Sequence, residues 1–276
     1  MQKIFFILFF YLIFINAHSN EQFNFDVTEI EILDNGNKFL GSKRGVITTN
    51  EGITINANEF EYDKKQNILI AKGNVEIQDN TRNYYILTEK IIYKKNEEII
   101  FTKDGSEAYN LNNEIKITAE EFIYNLPLNI IFAEKNVILE DKLENVVIYS
   151  DKISYSRNNE EITTEGKTSA KVHSKYNFKG EDVIFLKNSM VLSSDKESVI
   201  TDKLNLYKLD KFKYSIKREE LKGENILIST NYNLPNNDKF YFSSAILSLK
   251  TNDFIAKDTT IKIHKNIFNN TDNDPR

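Results

Sequence analysis

The sequence predicts an all-β protein built from about seven repeated hairpin units, each about 30 residues long. Three observations predict it. Aromatic residues recur at a fixed step: Tyr62, Tyr93, Tyr124 and Tyr155 are each 31 residues apart, and Phe185 and Tyr214 follow at 30 and 29. Around each aromatic, apolar and polar residues alternate with period two, as in a strand with one buried face. Helix signals are nearly absent beyond the first residues; even 210–220, the most helical-looking stretch, fits the strand template better.

The chain opens on Lys3, an unbroken apolar run from Ile4 to Ile15, and small residues at Ala17 and Ser19. A charged start, an apolar run too short to span a bilayer and a small-residue exit describe a secretory signal peptide. Residues 1–19 are therefore expected to be removed, with cleavage before Asn20; the alternative is that the apolar start is retained as an anchor. A strand is expected from about Val27 to Leu33, followed by a turn at Asp34-Asn35-Gly36-Asn37. The hairpin domain then runs to residue 268, and 269–276 is a polar tail or linker towards a missing C-terminal region.

Each unit has two arms. In the first, Ile53, Ile55 and Ala57 alternate with polar residues, and alternation resumes at Phe60 and Tyr62 with its parity shifted by one. The same slip recurs between Ala119 and Phe122, Ser150 and Ile153, Gly180 and Val183, and Leu209 and Phe212. A one-residue slip turns the apolar set to the wrong face unless the backbone absorbs it, so each slip predicts a bulge or bend. Polar turns such as Asp63-Lys64-Lys65-Gln66-Asn67 and Lys94-Lys95-Asn96-Glu97 join the arms, with their lysines read as solvated. The return arm carries a Gly or Asn inside its strand pattern (Gly73-Asn74, Asp104-Gly105, Asn136, Gly166), again the mark of a bend. An insertion at 231–238 precedes a looser copy that ends at Leu249. One hairpin is marginal alone, so neighbours must stack over a shared core. An elongated sandwich, a jelly roll and a β-helix-like solenoid all satisfy this pattern.

Composition narrows the function. A formal charge of −5 argues against an obligate nucleic-acid binder. The chain has no cysteine, so an exported fold must hold by packing and hydrogen bonding. No phosphate loop or nucleophile elbow is present, and His173 and His264 stand far apart. Glu120-Glu121 and Glu160-Glu161 are neighbours on strands, which point to opposite faces and make poor acid–base pairs. No enzyme activity, cofactor or metal is expected. An enzyme on a β-helix would need a stack of Asp, Arg or Lys at one level of successive coils, and the sequence shows none.

The units resemble the OstA-like family, the bent β-jelly-roll repeat of the lipopolysaccharide-transport proteins LptA, LptC and the periplasmic part of LptD. The resemblance rests on ITINANEFEY with KGNVEI, and on ITAEEFIYN with AEKNVILED as a second copy. It implies an elongated bent jelly roll in the periplasm whose sheets enclose an apolar groove for the acyl chains of lipopolysaccharide. It also implies modules joined edge to edge by strand pairing, with driving energy from an inner-membrane ATPase. The number of units and the polar tail point to the N-terminal periplasmic domain of an LptD-like protein associated with the outer membrane. Its partners would be lipopolysaccharide, an LptA-like bridge, an LptE-like lipoprotein and a separate or missing β-barrel. The alternatives are an LptA- or LptC-like bridge component, and a structural β-solenoid that binds no lipid. The absent barrel and absent cysteines depart from the LptD pattern.

Inward positions by period two are Ile55, Phe60, Tyr62, Ile91, Tyr93 and Phe122 in the first units, with Ile53 beside them. Tyr124, Ile153, Tyr155, Val183, Phe185, Phe212 and Tyr214 continue the series. By periodicity alone these residues fill a sandwich core; by the resemblance they line the groove. The stretches 27–33 and 261–263 are the expected free edges, where β-augmentation attaches a partner.

Overall fold

The computed structural model describes residues 23–263 apart from 236; the expected signal peptide and the polar tail lie outside the described residues. Among the described residues, twenty-two strands form sixteen arms, six of them interrupted in the middle, and each arm after the first pairs antiparallel with the arm before it. The chain is thus a single up-and-down meander, from Phe23–Leu33 and Lys38–Thr49 to the last arm, Asp253–Lys257 with Thr260–Lys262. The all-β, repeated-hairpin reading and the bent jelly roll hold. Uninterrupted arms are mostly 11 or 12 residues long, not 8–10, because the bend residues sit inside the strand.

Every arm is bent at its centre, and the bends are where parity slips. Ile53–Ala57 and Glu59–Asp63 are separate strands broken at Asn58; Ile115–Ala119 and Glu121–Asn125 break at Glu120, and Asn205–Leu209 and Lys211–Ser215 at Asp210. The return arms solve the problem differently. Pairing in Ile68–Asp79 jumps from Lys72 to Val75, and in Ile130–Asp141 from Glu134 to Val137. The skipped residues have left-handed backbone: Gly73 and Asn74, and Lys135 and Asn136. Such a bulge turns the strand while keeping apolar side chains on one face in both halves.

Because all arms bend at the same level, the meander folds into two layers that meet along the line of bends. One layer holds the halves numbered 45–49, 53–57, 75–79 and 84–88 and their successors. The other holds 38–42, 59–63, 68–72 and 90–94 and theirs. The bends form a closed spine, and the opposite margin is formed by the turns of the two layers.

Gly73 shows how tightly the spine is built. Its φ is +75°, and an added Cβ would lie 2.8 Å from Asn58 Nδ2 and 3.1 Å from Asn58 Cβ. The Asn58 amide donates to the carbonyls of both Lys72 and Gly73, so the two bends are locked together. Gly105, at φ +85°, would meet nothing within 4 Å. Gly73→Ala is expected to cost about 2 kcal/mol and Gly105→Ala about 1 kcal/mol, the difference being the clash at Asn58. Urea unfolding of the two variants checks this, and equal losses would show that the Asn58 contact is soft.

Candidate functional site

The space between the layers is the candidate site. In the 38–42 layer, residues on the inner face near the turns form one continuous cross-strand row. Ile32 pairs with Phe39, Phe39 with Tyr62, Tyr62 with Leu69, and Leu69 with Tyr93. The row continues through Ile100, Tyr124, Ile131 and Tyr155, and on through Ile162 and Phe185. It ends at Leu221, Leu247 and Phe254. From Tyr62 to Leu221 aromatic and aliphatic residues alternate because the repeat supplies Tyr or Phe from one arm and Leu or Ile from the next. Closer to the bends, Phe60 faces Ala71 and Phe122 faces Ala133, so each large ring has a small neighbour.

All thirteen sequence-derived groove residues fall on this inner surface. Ile55 lies in the opposite layer, paired with Ile47 and Ile77. Tyr62 is the most exposed of the thirteen at 8%. They form one packed cluster, with Phe23 edge-on to Tyr62 and Tyr93, Tyr84 edge-on to Tyr124, and Phe178 against Phe212 and Tyr214. Burial pushes the phenol pKa of Tyr84, Tyr93, Tyr124, Tyr155, Tyr176, Tyr207 and Tyr214 well above its ordinary value.

The turn margin is held shut by polar clasps between the layers. Lys95 reaches across to Glu51 at 2.6 Å. Asp79, fully buried, accepts hydrogen bonds from Arg82 and from the Tyr124 hydroxyl, and Arg82 Nε donates to the Leu126 carbonyl opposite. Lys187 stands 3.3 Å from the buried Asp141. Near the other end, Lys175 and the Tyr176 hydroxyl both donate to Glu219, and Tyr176 also reaches the Leu249 carbonyl. The lysine hydrogen bond, against a smaller effect of burial, holds the Glu219 carboxyl below its usual range. Among the described residues, the buried hydroxyls of Tyr84, Tyr93 and Tyr214 meet no hydrogen-bond partner, so the margin carries hydrogen-bonding capacity that these residues do not use.

The clasps were not foreseen. The turn pattern predicts solvated lysines at 64, 65, 94 and 95, but Lys95 is buried. Lys65, by contrast, makes an exposed pair with Asp34. A signal was present: Asp79, Asn110 and Asp141 recur at a step of 31, and each side chain accepts backbone N–H bonds from the turn that follows it.

At both ends of the molecule the inner surface is uncovered. Ile32 is 57% exposed and Phe254 45%, although both lie in the inward row. Tyr207, Ile228, Phe240, Leu247 and Phe254 line a cavity of about 270 Å³ at the C-terminal end. Among the described residues, no strand pairs with the outer edge of Phe23–Leu33 or with that of the last arm. The expected edges at 27–33 and 261–263 are therefore free edges here.

Residues 44–137, from the bend of the second arm into the eighth, match the family model for lipopolysaccharide-assembly, LptC-related proteins. Among solved structures, the chain is similar to LptH from Pseudomonas aeruginosa, described as the LptA homologous periplasmic component of the conserved lipopolysaccharide transport device. That likeness is 16% in identity with a TM-score of 0.38, over 42% of this chain and 82% of that one. No curated protein matches the chain. The family match bears out the resemblance to the Lpt β-jelly-roll proteins. It falls on the LptC-related family, and nothing in the comparisons points specifically to the N-terminal domain of LptD.

Proposed function

We propose that this chain is a periplasmic bridge component of lipopolysaccharide transport, which shelters acyl chains between its two layers and hands them on through its ends. The observation that carries this reading is the inward row, unbroken across sixteen arms and uncovered at both ends. A trough meant only as a core would be capped there. The family match over 44–137 supports lipopolysaccharide as the cargo class. The energetics require such a device: a 12-carbon chain leaving a membrane for water costs roughly 9 kcal/mol, at about 0.8 kcal/mol per methylene. A continuous apolar interior keeps the free energy nearly level from one arm to the next. In this structure the interior is filled by its own side chains, so cargo enters as the clasped margin parts, with the ends as the first points of access. No bond is made or broken.

A photo-reactive residue at Ile32 or Phe254 is expected to capture lipopolysaccharide in cells, and one at Gln78, on an outer face, is not. Equal labelling would count against the trough. A clamp tests the opening. With no native cysteine, Glu51→Cys with Lys95→Cys can be bridged by a short bis-maleimide. Bridging is expected to reduce lipopolysaccharide capture at least tenfold while the unbridged double variant keeps it. Undiminished capture would mean that the margin does not open. The finer LptD-like reading, with an LptE-like lipoprotein and a separate β-barrel at the outer membrane, is told apart by which envelope proteins crosslink to the two free edges.

A further inference from the structure

The outer faces of the two layers differ in a way the interior does not explain. In the 68–72 layer, the outward row is Ile70, Ile92, Phe101, Ile123 and Phe132, each directly paired with the next. All five are at least partly exposed, and Leu128 in the adjoining turn is 54% exposed. Nearer the spine, Lys72 pairs with Lys90 and Lys90 with Lys103. Like charges directly opposite on adjacent strands, about 5 Å apart, destabilise a sheet. Among the described residues none of the three forms an ion pair within 4 Å; Glu59 stands opposite Lys72, and Glu121, bonded to Lys135, also feels the charge of Lys103. These are central arms, so the lysines are not guarding an edge. The other layer, over the same arms, turns Glu76, Gln78, Tyr85, Glu107, Tyr109 and Glu140 outward, with Leu87, Thr118 and Ile138 among them and one cation, Lys116, paired with Glu107.

One outer face is therefore mainly apolar with three lysines in line, and the opposite face is mixed, with three carboxylates against one ammonium. We propose that the face carrying Ile70 to Phe132 rests on an anionic membrane surface. The Ile and Phe row enters the interfacial region, and Lys72, Lys90 and Lys103 meet lipid phosphates. The charge match selects this occupant. Three ammonium groups in line, repelling one another in the free protein and held in no close ion pair, are relieved by a surface of many phosphates. The backbone of this face is already paired within the sheet, so it offers only methyl groups, rings and ammonium heads, the set an amphipathic surface uses at a bilayer. The layer with the carboxylates then faces away, which fixes the orientation despite a net charge of −5. The proposal does not depend on the cargo between the layers.

The test is co-flotation of the protein, as recovered from the cells that make it, with lipopolysaccharide-free vesicles. These are made either of phosphatidylcholine alone or of an equal mixture with phosphatidylglycerol. Binding to the mixed vesicles, weakened by salt, is expected. Lys72→Gln with Lys90→Gln and Lys103→Gln is expected to weaken it about a hundredfold, from roughly fivefold per lysine. Ile123→Gln, on the same face, weakens it too, and Glu76→Gln with Glu107→Gln on the opposite face does not. The triple variant removes repulsion, so its melting temperature should not fall; this keeps a loss of binding from being a loss of fold. Equal binding to both vesicle types, or a triple variant that binds like the parent, would overturn the proposal. So would full competition by inorganic phosphate, or capture of a protein partner by this face with no vesicle binding.

Discussion

Raising the pH above 10 is expected to unfold the protein in one cooperative step, with tyrosinate absorbance and loss of β-sheet circular dichroism rising together. Seven tyrosines are held protonated by burial: Tyr84, Tyr93, Tyr124, Tyr155, Tyr176, Tyr207 and Tyr214. Their folded pKa values lie above the unfolded value of about 10. Their contribution is therefore fully present below pH 10 and is lost as pH rises towards the folded values. Each such tyrosine costs about 1.4 kcal/mol of stability per pH unit in that window, so seven cost about 10 kcal/mol by pH 11. A domain's whole stability is about 5–15 kcal/mol. The midpoint is expected between about pH 10.5 and 11.5. A gradual titration of these phenols with the sheet intact would mean that the interior admits water and base, and that the margin is looser than its clasps imply. Bound acyl chains would exclude water further and move the midpoint upward.

The arms and their bends were legible in the sequence because both are local. The slip between Ala57 and Phe60 became the break at Asn58, and Gly73-Asn74 became the bulge that locks onto it. The inward row was legible wherever alternation was clean, as in Phe60 and Tyr62. It was hidden in runs such as Ile68-Leu69-Ile70, where only Leu69 is buried and both neighbours face outward. Such a run reads as a strand buried on both faces, so the apolar outer stripe passed unnoticed. The clasps were illegible for a different reason. Glu51 with Lys95, Arg82 with Leu126, and Lys175 with Glu219 are each 44 residues apart, a spacing unrelated to the 31-residue repeat. It arises from how far one layer is displaced over the other, which depends on twist summed over several arms. The LptD-like reading came from counting units. Unit number fixes the length of a trough and says nothing of its partners, which is why the match to the LptC-related family could redirect it.

Asp79→Ala is expected to be the most damaging single substitution at the margin, costing about 3–5 kcal/mol. The carboxylate is wholly buried and serves three donors: the Arg82 amide at 2.9 Å, the Arg82 guanidinium at 3.1 Å and the Tyr124 hydroxyl at 3.0 Å. Alanine would leave a cation and a phenol without their acceptor and the turn without its cap. At roughly 2–4 °C per kcal/mol for a chain of this size, the melting temperature should fall by about 10 °C. Asp79→Asn keeps one oxygen for the turn amide but sets an NH2 where the second oxygen met the Tyr124 hydroxyl and the Arg82 guanidinium; the phenol can turn to accept from it and the guanidinium cannot, so it should lose somewhat less than alanine. Tyr124→Phe removes one hydrogen bond and leaves the ion pair, for about 1 kcal/mol. The order of the three losses tells whether the clasp holds by charge, by hydrogen bonding or by shape. It also bears on transport, because the clasp must part for a chain to slip between the layers. A clasp worth several kcal/mol makes spontaneous opening rare and places control with whatever partner pries the margin apart. If Asp79→Ala loses less than about 1 kcal/mol, the margin opens freely and control of entry must lie elsewhere, at the uncovered ends beside Ile32 and Phe254.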